Sequence, residues 1–399
     1  MTEVSGAAHG RHPPEPYCDR IRPPADTVRA MRPHFRALGI TRVARQTALD
    51  RIGIPCWAAF RPNAFTLANN QGKGLDDDAA MASAVMEAAE FCIAEQGATI
   101  AAETTAERLG QGRVLSLSRQ LPIGRPVAGD VELPFAAGID LLTGTETYVV
   151  HEAVGLGPSS GLISQLARST NGLASGNVES EAILHGLLEL IERDGATQAS
   201  LQPLRPLAPA SLHDPAVDDL VARIDRAGFD LWLFDQTTDI GVPVIKAVIG
   251  DRMSGYWQHF DLAAGYGAHP SAARAAIRAI TEAAQTRVTN IAGSRDDFLP
   301  GEYRRRGEEM KRTIFGQPFG GDAWSGDLPG PARTADAMLA DVLTRLAAAG
   351  IASVVKVAFP AEAYGVSVVK VFAPDLEDRS CNRNWRPGVR SLRTLTAAA

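Results

Sequence analysis

Four cysteines in 399 residues, Cys18, Cys56, Cys92 and Cys381, form no C-x-x-C pair and no metal-finger spacing. This scarcity argues against a disulfide scaffold and fits a reducing compartment. No apolar run reaches the ~18 residues of a membrane span, and the opening MTEVSGAAHGRHPPEP has no apolar signal core. A soluble cytoplasmic protein, not a membrane protein, is therefore expected. Positive charge is not in excess either: a net charge of -6 gives no basis for nucleic acid as the bulk partner, although local charge can still hold a small anion. Several catalytic signatures are missing as well. There is no G-x-x-x-x-G-K-[ST] and no G-x-G-x-x-G, and the HE at His151 lacks a second zinc-binding histidine. The positive warrants for a P-loop, a dinucleotide fold and a zincin are thus absent.

What the chain does contain is repetition. DRIGIPCWAAFRP (50–62), DIGVPVIKAVIG (239–250) and EAYGVSVVKVFAP (362–374) each run from an acidic residue through a glycine into an apolar stretch. Gly53, Gly241 and Gly365 are expected to close turns that lead into covered strands. GKGLDDDAAMASAVMEAAE (72–90), ASGNVESEAILHGLLELIERD (174–194) and GYGAHPSAARAAIRAITEAAQTR (265–287) each pass from a glycine turn through a helix-start region into a helix. Each helix carries a polar pair three residues apart, Glu87/Glu90, Glu189/Glu192 and Glu282/Gln285, and such a pair shares one face. The pattern predicts an α/β domain with internal pseudo-three-fold strand and helix repeats and polar helix faces converging.

Residues 1–35, rich in proline, arginine and histidine, read as an arm laid on the surface, with the domain spanning 36–399. Further helices are expected near 33–38, 105–109, 215–226 and 334–348, and strands at 99–102, 147–151 and 231–235. The stretch 293–333 has the glycine, proline and charge content of a long lid or binding loop.

The segment Asn177 to Gly195 carries four glutamates and a histidine among leucine, isoleucine and alanine. At about 100° per residue, Asn177, Glu181, His185, Glu189 and Glu192 fall in one slowly drifting stripe, and the apolar residues occupy much of the rest. Such a stripe either faces solvent or lines a cavity. The absence of lysine from it, the small residues Ala174 to Gly176 leading into it and the Glu87/Glu90 pair on a related helix favour the cavity. Packed carboxylates raise one another's pKa unless a cation intervenes, and carboxylates with an amide are hard ligands suited to Mg2+ alongside phosphate oxygens. Candidate phosphate-binding bases are Arg42, Lys73, Arg193, Arg278, Arg287 and Arg295. A lone helical His185 reads as a hydrogen-bonding neighbour, and no residue stands out as a catalytic acid, base or nucleophile.

These stretches, together with GITRVARQTALDRIGIPCWAAFRP, STNGLASGNVESEAILHGLLELIERD and NIAGSRDD, resemble the YcaO family of ATP-dependent enzymes that modify backbone amides of peptides. The resemblance covers nearly the whole chain after the arm. It implies that Glu87, Glu90, Glu181, Glu189 and Glu192 hold Mg2+. It also implies that Glu87, Asn177 and Arg193, with Gln285, Arg287 and Arg295 in the neighbouring phosphate region, bind ATP. The implied activities are azoline-forming cyclodehydration, thioamide formation and amidine formation, each with ATP activating the amide oxygen. With only Pro387 in NWRPGVRSLRTLTAAA, the Pro-rich tail common in azoline-forming members is not matched. The chain is more similar to stand-alone members that work with a TfuA partner, some of which make thioamides. The expected partners are accordingly a precursor peptide or protein, a TfuA-like protein and a second copy in a homodimer. A cyclodehydratase and a non-catalytic nucleotide-binding accessory protein are the alternatives.

Overall fold

In the structure, a computed structural model, residues 17–110, 112–116, 129–158, 168–252, 262–293, 313–314, 316–317, 320–326, 334–380 and 385–397 are described. The chain begins with α1 (Pro24–Met31), β1 (Arg42–Arg45), β2 (Cys56–Phe60), β3 (Asn69–Lys73), α2 (Asp77–Gln96), β4 (Ala102–Thr105) and α3 (Ala106–Leu109). It continues through β5 (Glu132–Asp140), β6 (Glu146–Val150), α4 (His151–Val154), β7 (Leu173–Gly176), α5 (Glu179–Ala199), β8 (Pro206–Leu207) and α6 (Pro215–Arg226). Then follow β9 (Phe229–Asp235), β10 (Val244–Asp251), β11 (Leu262–Ala268), α7 (Ala272–Ala292), α8 (Ala335–Ala348), β12 (Val355–Ala358), β13 (Ser367–Phe372) and α9 (Val389–Ala397).

The strands form three sheets with the orders β1-β2-β3, β11-β10-β9-β8 and β4-β5-β12-β13-β7, with β6 also paired to β5. Within each sheet, one edge strand leads directly into a long helix: β3 into α2, β7 into α5 and β11 into α7. Each of these helices packs back onto its own sheet. Local chemistry sets the starts. Asp76 accepts the Ala79 amide at 2.7 Å and Ser271 accepts that of Arg274, so side-chain oxygens satisfy amides that the first helical turn leaves unpaired. Glycine permits the packing. A Cβ on Gly72 of β3 would lie 2.1 Å from the Ala84 nitrogen of α2, and one on Gly265 of β11 would lie 2.2 Å from the Ala283 nitrogen of α7. Only a residue without a Cβ lets strand and helix backbones approach so closely.

The three expected strands appear as β2, β10 and β13, and Gly53, Gly241 and Gly365 before them have φ of +76°, +72° and +66°. The helix expected at 215–226 and that at 334–348 are α6 and α8, and the strand expected at 99–102 starts later, at Ala102. Two expectations are corrected. The helix placed near 33–38 is a single 3-10 turn, Arg32–His34, ahead of a turn. The supposed surface arm is folded from residue 17 onward: α1 packs on α2, and Val28 and Met31 are buried. Proline in the opening turn of α1 is compatible with a helix because that position has no amide partner to lose. Of the expected loop 293–333, Asp322 exchanges backbone hydrogen bonds with Pro206 and Ala208, and most of the rest lies outside the described residues. Among the described residues no helix is long and apolar enough to cross a membrane.

Candidate functional site

The three long helices carry their polar pairs into a shared, largely buried centre. At the start of α5, the Asn177 backbone amide and side-chain Nδ2 donate to Glu181 Oε2 at 2.8 and 3.2 Å. The Glu181 side chain is fully enclosed. Its other contacts come from the N-terminal segment: the Ile21 amide donates to Oε1 at 2.5 Å and Arg20 Nη1 lies 3.4 Å from Oε2. Arg20 also reaches within 3.4 Å of His185 Nδ1, and Thr27 Oγ1 donates to Asn177 Oδ1 at 3.0 Å. Burial, followed by the charges of Arg278, Arg20 and Lys73, holds His185 well below its ordinary pKa, so its ring is neutral at pH 7.

One and two turns further along α5 lie Glu189 and Glu192. Glu189 Oε2 accepts the Gly172 amide at 3.1 Å, and Arg193 lies 3.6 Å from Glu189 and 3.8 Å from Glu192. Burial pushes Glu192 up to about 7, with the charge of Glu282 adding to the effect, and burial raises Glu189 against the pull of Arg193. Across from them on α2, Glu90 is raised well above the usual carboxylate range by burial, then by Glu87 and Glu189. On α7, burial would raise Glu282, but Lys73 at 2.6 Å and Arg193 outweigh it and hold the carboxyl low. Arg278, one turn before Glu282, bears electrostatically on both Glu192 and His185. Residues from α2, α5, α7 and β3 thus enter one electrostatic unit.

The donor set fits the cofactors that the sequence implies. Burial raises Glu90, Glu189 and Glu192, with neighbouring carboxylates adding to it, and a bound Mg2+ would offset the cost of ionising them. Lys73, Arg193, Arg278 and Arg20 supply the positive charge that a polyphosphate needs. Among the described residues, no three His, Cys, Asp or Glu side chains converge in a metal-holding arrangement. The carboxylates come from α2, α5 and α7, and Mg2+ takes only part of its shell from protein oxygens, the rest being waters and phosphate oxygens.

Of the sequence-predicted residues, the fold brings Lys73, Glu87, Glu90, Glu189, Glu192 and Arg193 together, with Asn177 and Glu181 at the N-terminal end of the same helix. Gln285 is half-buried on the Glu282 side of α7. Arg42 is instead exposed on β1, the outer edge strand on the far side of β2 from Lys73. Arg287 is committed elsewhere as well: its Nε lies 2.9 Å from Asp50 Oδ2 and its guanidinium carbon 4.2 Å from the Phe229 ring. Five residues beyond Glu282, it has turned by about 140° around the helix. Arg295 lies outside the described residues. Two members were not assigned from the sequence: Glu282, visible only as half of a repeated polar pair, and Arg20, hidden in a segment that lacks local periodicity.

Three sheet-and-helix units enclose a largely buried acidic and basic centre, and likeness to known proteins gives the class. Residues 71–377 match the family model described as YcaO cyclodehydratase, ATP- and Mg2+-binding. The chain belongs to the YcaO family, and its reaction is an ATP- and Mg2+-dependent modification of a peptide. It is 41% identical over 404 residues to an uncharacterized protein in the tfuA 3' region of Rhizobium leguminosarum bv. trifolii, covering 96% of this chain and 94% of the relative. Among solved structures it is similar to YcaO from Methanopyrus kandleri bound with AMPPCP and Mg2+, with TM-score 0.73, 23% identity and coverage of 93% and 96%. It is similar also to a heterocyclase in complex with substrate and cofactor, with TM-score 0.70 and 22% identity, covering 90% of this chain and 53% of that one.

Proposed function

We propose that the chain converts a peptide-backbone amide to a thioamide, using ATP, Mg2+ and a sulfur donor and acting with a TfuA-like partner. The observation that supports this branch is the near-full-length likeness to a protein encoded beside tfuA. In this reading Glu87, Glu90, Glu189 and Glu192 hold Mg2+, with Glu181 and Asn177 at the edge of the set, and Lys73, Arg193 and Arg278 face the phosphates. ATP would supply the phosphoryl group that turns the amide oxygen into a leaving phosphate, and Mg2+ would offset the charge that develops. The chain's own part is to hold these groups in place, keep His185 neutral and exclude water from a centre buried by three helices. We read the three sheet-and-helix units as copies of one plan, which accounts for polar pairs at matching places on α2, α5 and α7. A homodimer belongs to the same proposal.

The deciding experiment incubates the protein with ATP, Mg2+, sulfide, a TfuA-like partner and a candidate peptide, followed by mass analysis. Exchange of one oxygen for sulfur is expected. Loss of one water instead would favour azoline formation, the second reading, which the family description and the likeness to a heterocyclase support. Nucleotide binding without either product would favour an accessory role. Light scattering tests the dimer.

A further inference from the structure

The C-terminal helix α9 reaches the candidate site from behind. Asp194 follows Glu192 by two residues, which places it about 200° around α5, on the face opposite the carboxylates. Its side chain is fully buried, and Arg390 of α9 grips it with Nε at 3.1 Å from both oxygens and Nη2 at 2.8 Å from Oδ2. The same guanidinium extends to Asp239 at 2.6 Å, in the connection between β9 and β10. Further contacts repeat along this back face. Thr394 donates to Gln198 at 2.8 Å, the Glu377 amide donates to Asp194 at 3.0 Å and the Arg379 amide donates to Thr197 at 3.0 Å. Glu377 in turn accepts from the Ser391 hydroxyl at 2.7 Å and the Gly388 amide at 2.9 Å, closing α9 onto the segment before it.

This is a second polar face of α5, buried and satisfied, and it has a directional consequence. Apolar packing tolerates small rotations of a helix, whereas a forked guanidinium on a buried carboxylate fixes both position and rotation. We infer that Arg390 is a positioning residue: its grip on Asp194 sets the rotation of α5, and so aims Glu189, Glu192 and Arg193 into the nucleotide-binding centre from a helix outside the segment matched to the family. The inference rests on the Mg2+ and nucleotide reading of those three residues.

The test measures Mg2+–ATP affinity by calorimetry and amide hydrogen exchange of α5 without nucleotide, on the full chain. Arg390→Ala is expected to weaken nucleotide binding about tenfold and to speed exchange along α5, and Arg390→Lys to restore part of both. Ile224→Ala serves as the matched control, because Ile224 is a buried α6 residue in a core that α6 and β9 share with α7 and that holds no residue of α5. It is expected to lower the melting temperature without changing nucleotide affinity or α5 exchange. Unchanged affinity in Arg390→Ala, or an equal loss in Ile224→Ala, would overturn the inference. If Arg390→Ala does not fold, Arg390→Lys carries the comparison, with an expected loss of about threefold. Failure of the wild-type chain to bind Mg2+–ATP would instead overturn the nucleotide reading, and the exchange data would then decide whether Arg390 orders α5 at all.

Discussion

Lys73 on β3 and Glu282 on α7 meet at 2.6 Å and link two of the three sheet-and-helix units. Both side chains keep about a quarter of their exposure, 27% and 26%, so screening reduces what the pair contributes. Its larger effect is on the neighbours, because the charge of Glu282 raises Glu192. Lys73→Ala should lower stability by about 1–2 kcal/mol and Lys73→Ala with Glu282→Gln should recover most of it, as the second change removes the stranded charge. Urea denaturation of the wild type, both single variants and the double variant gives the coupling. A double variant no more stable than Lys73→Ala would show that the pair is not the source of the loss.

The raised carboxylates predict an inverted pH dependence around the site. Glu192 is pushed from the ordinary 4.5 up to about 7 by burial first, then by Glu282. Below pH 4.5 both folded and unfolded chains hold its proton. Between there and pH 7 the unfolded chain ionises and the folded one resists, so the unfolded state gains. Stability of the cofactor-free protein should therefore fall across that window, and Glu192→Gln should gain about 1–3 kcal/mol at pH 8 while gaining little at pH 4. The same proton opposes a metal ion, so Mg2+ affinity of the wild type should rise as pH passes through 7. Denaturation and calorimetry between pH 4 and 8 would check both; equal stability of wild type and Glu192→Gln at pH 8 would refute the first.

Much of this centre was legible in the sequence because helical spacing is a local property. The stripe from Asn177 to Glu192, the Glu87/Glu90 pair and the three turn glycines are each defined within a few residues, and the fold places them accordingly. Glu282 was visible but weak, since a Glu/Gln pair carries half the acidic signal of its counterparts. Arg20 and Arg390 were not legible. Each acts through a contact with a residue more than a hundred positions away in the chain, Arg20 with Glu181 and Arg390 with Asp194, and nothing in their own surroundings marks that partner. The structure places Arg42 and Arg287 away from the centre for the complementary reason: closeness in sequence does not fix the direction in which a side chain leaves its strand or helix.

Gly72 and Gly265 carry a steric prediction. A Cβ on Gly72 would meet the Ala84 nitrogen at 2.1 Å and the Ala80 oxygen at 2.2 Å; one on Gly265 would meet the Ala283 nitrogen at 2.2 Å and the Ala279 oxygen at 2.3 Å. All four are backbone atoms of the packed helix, so no side chain can swing aside, and the helix must lift from its strand. Gly72→Ala and Gly265→Ala should each cost more than about 3 kcal/mol or yield insoluble protein. Gly53→Ala, at a positive φ with nothing within 4 Å of its added Cβ, should cost only about 1 kcal/mol. Comparable denaturation midpoints for all three variants would rule out this close approach as the constraint.

On the proposed reading, Arg278 serves nucleotide binding and Arg287 serves the fold, although both stand on one helix. The Arg287 and Asp50 side chains are 8% and 5% exposed, and losing the arginine leaves a carboxylate buried without its main counter-charge. Arg287→Ala should lower stability by about 3–5 kcal/mol, while the molecules that remain folded bind Mg2+–ATP as the wild type does. Arg278 makes no ion pair of its own among the described residues, yet it acts on both Glu192 and His185. Among the described residues its removal breaks no ion pair. Arg278→Ala should therefore change stability by less than about 1 kcal/mol and weaken nucleotide binding about tenfold, the loss expected when a charge-assisted phosphate contact is removed. Calorimetry at a temperature where all three proteins are folded makes the comparison, and a larger binding loss in Arg287→Ala than in Arg278→Ala would reverse the assignment and return Arg287 to the phosphate site.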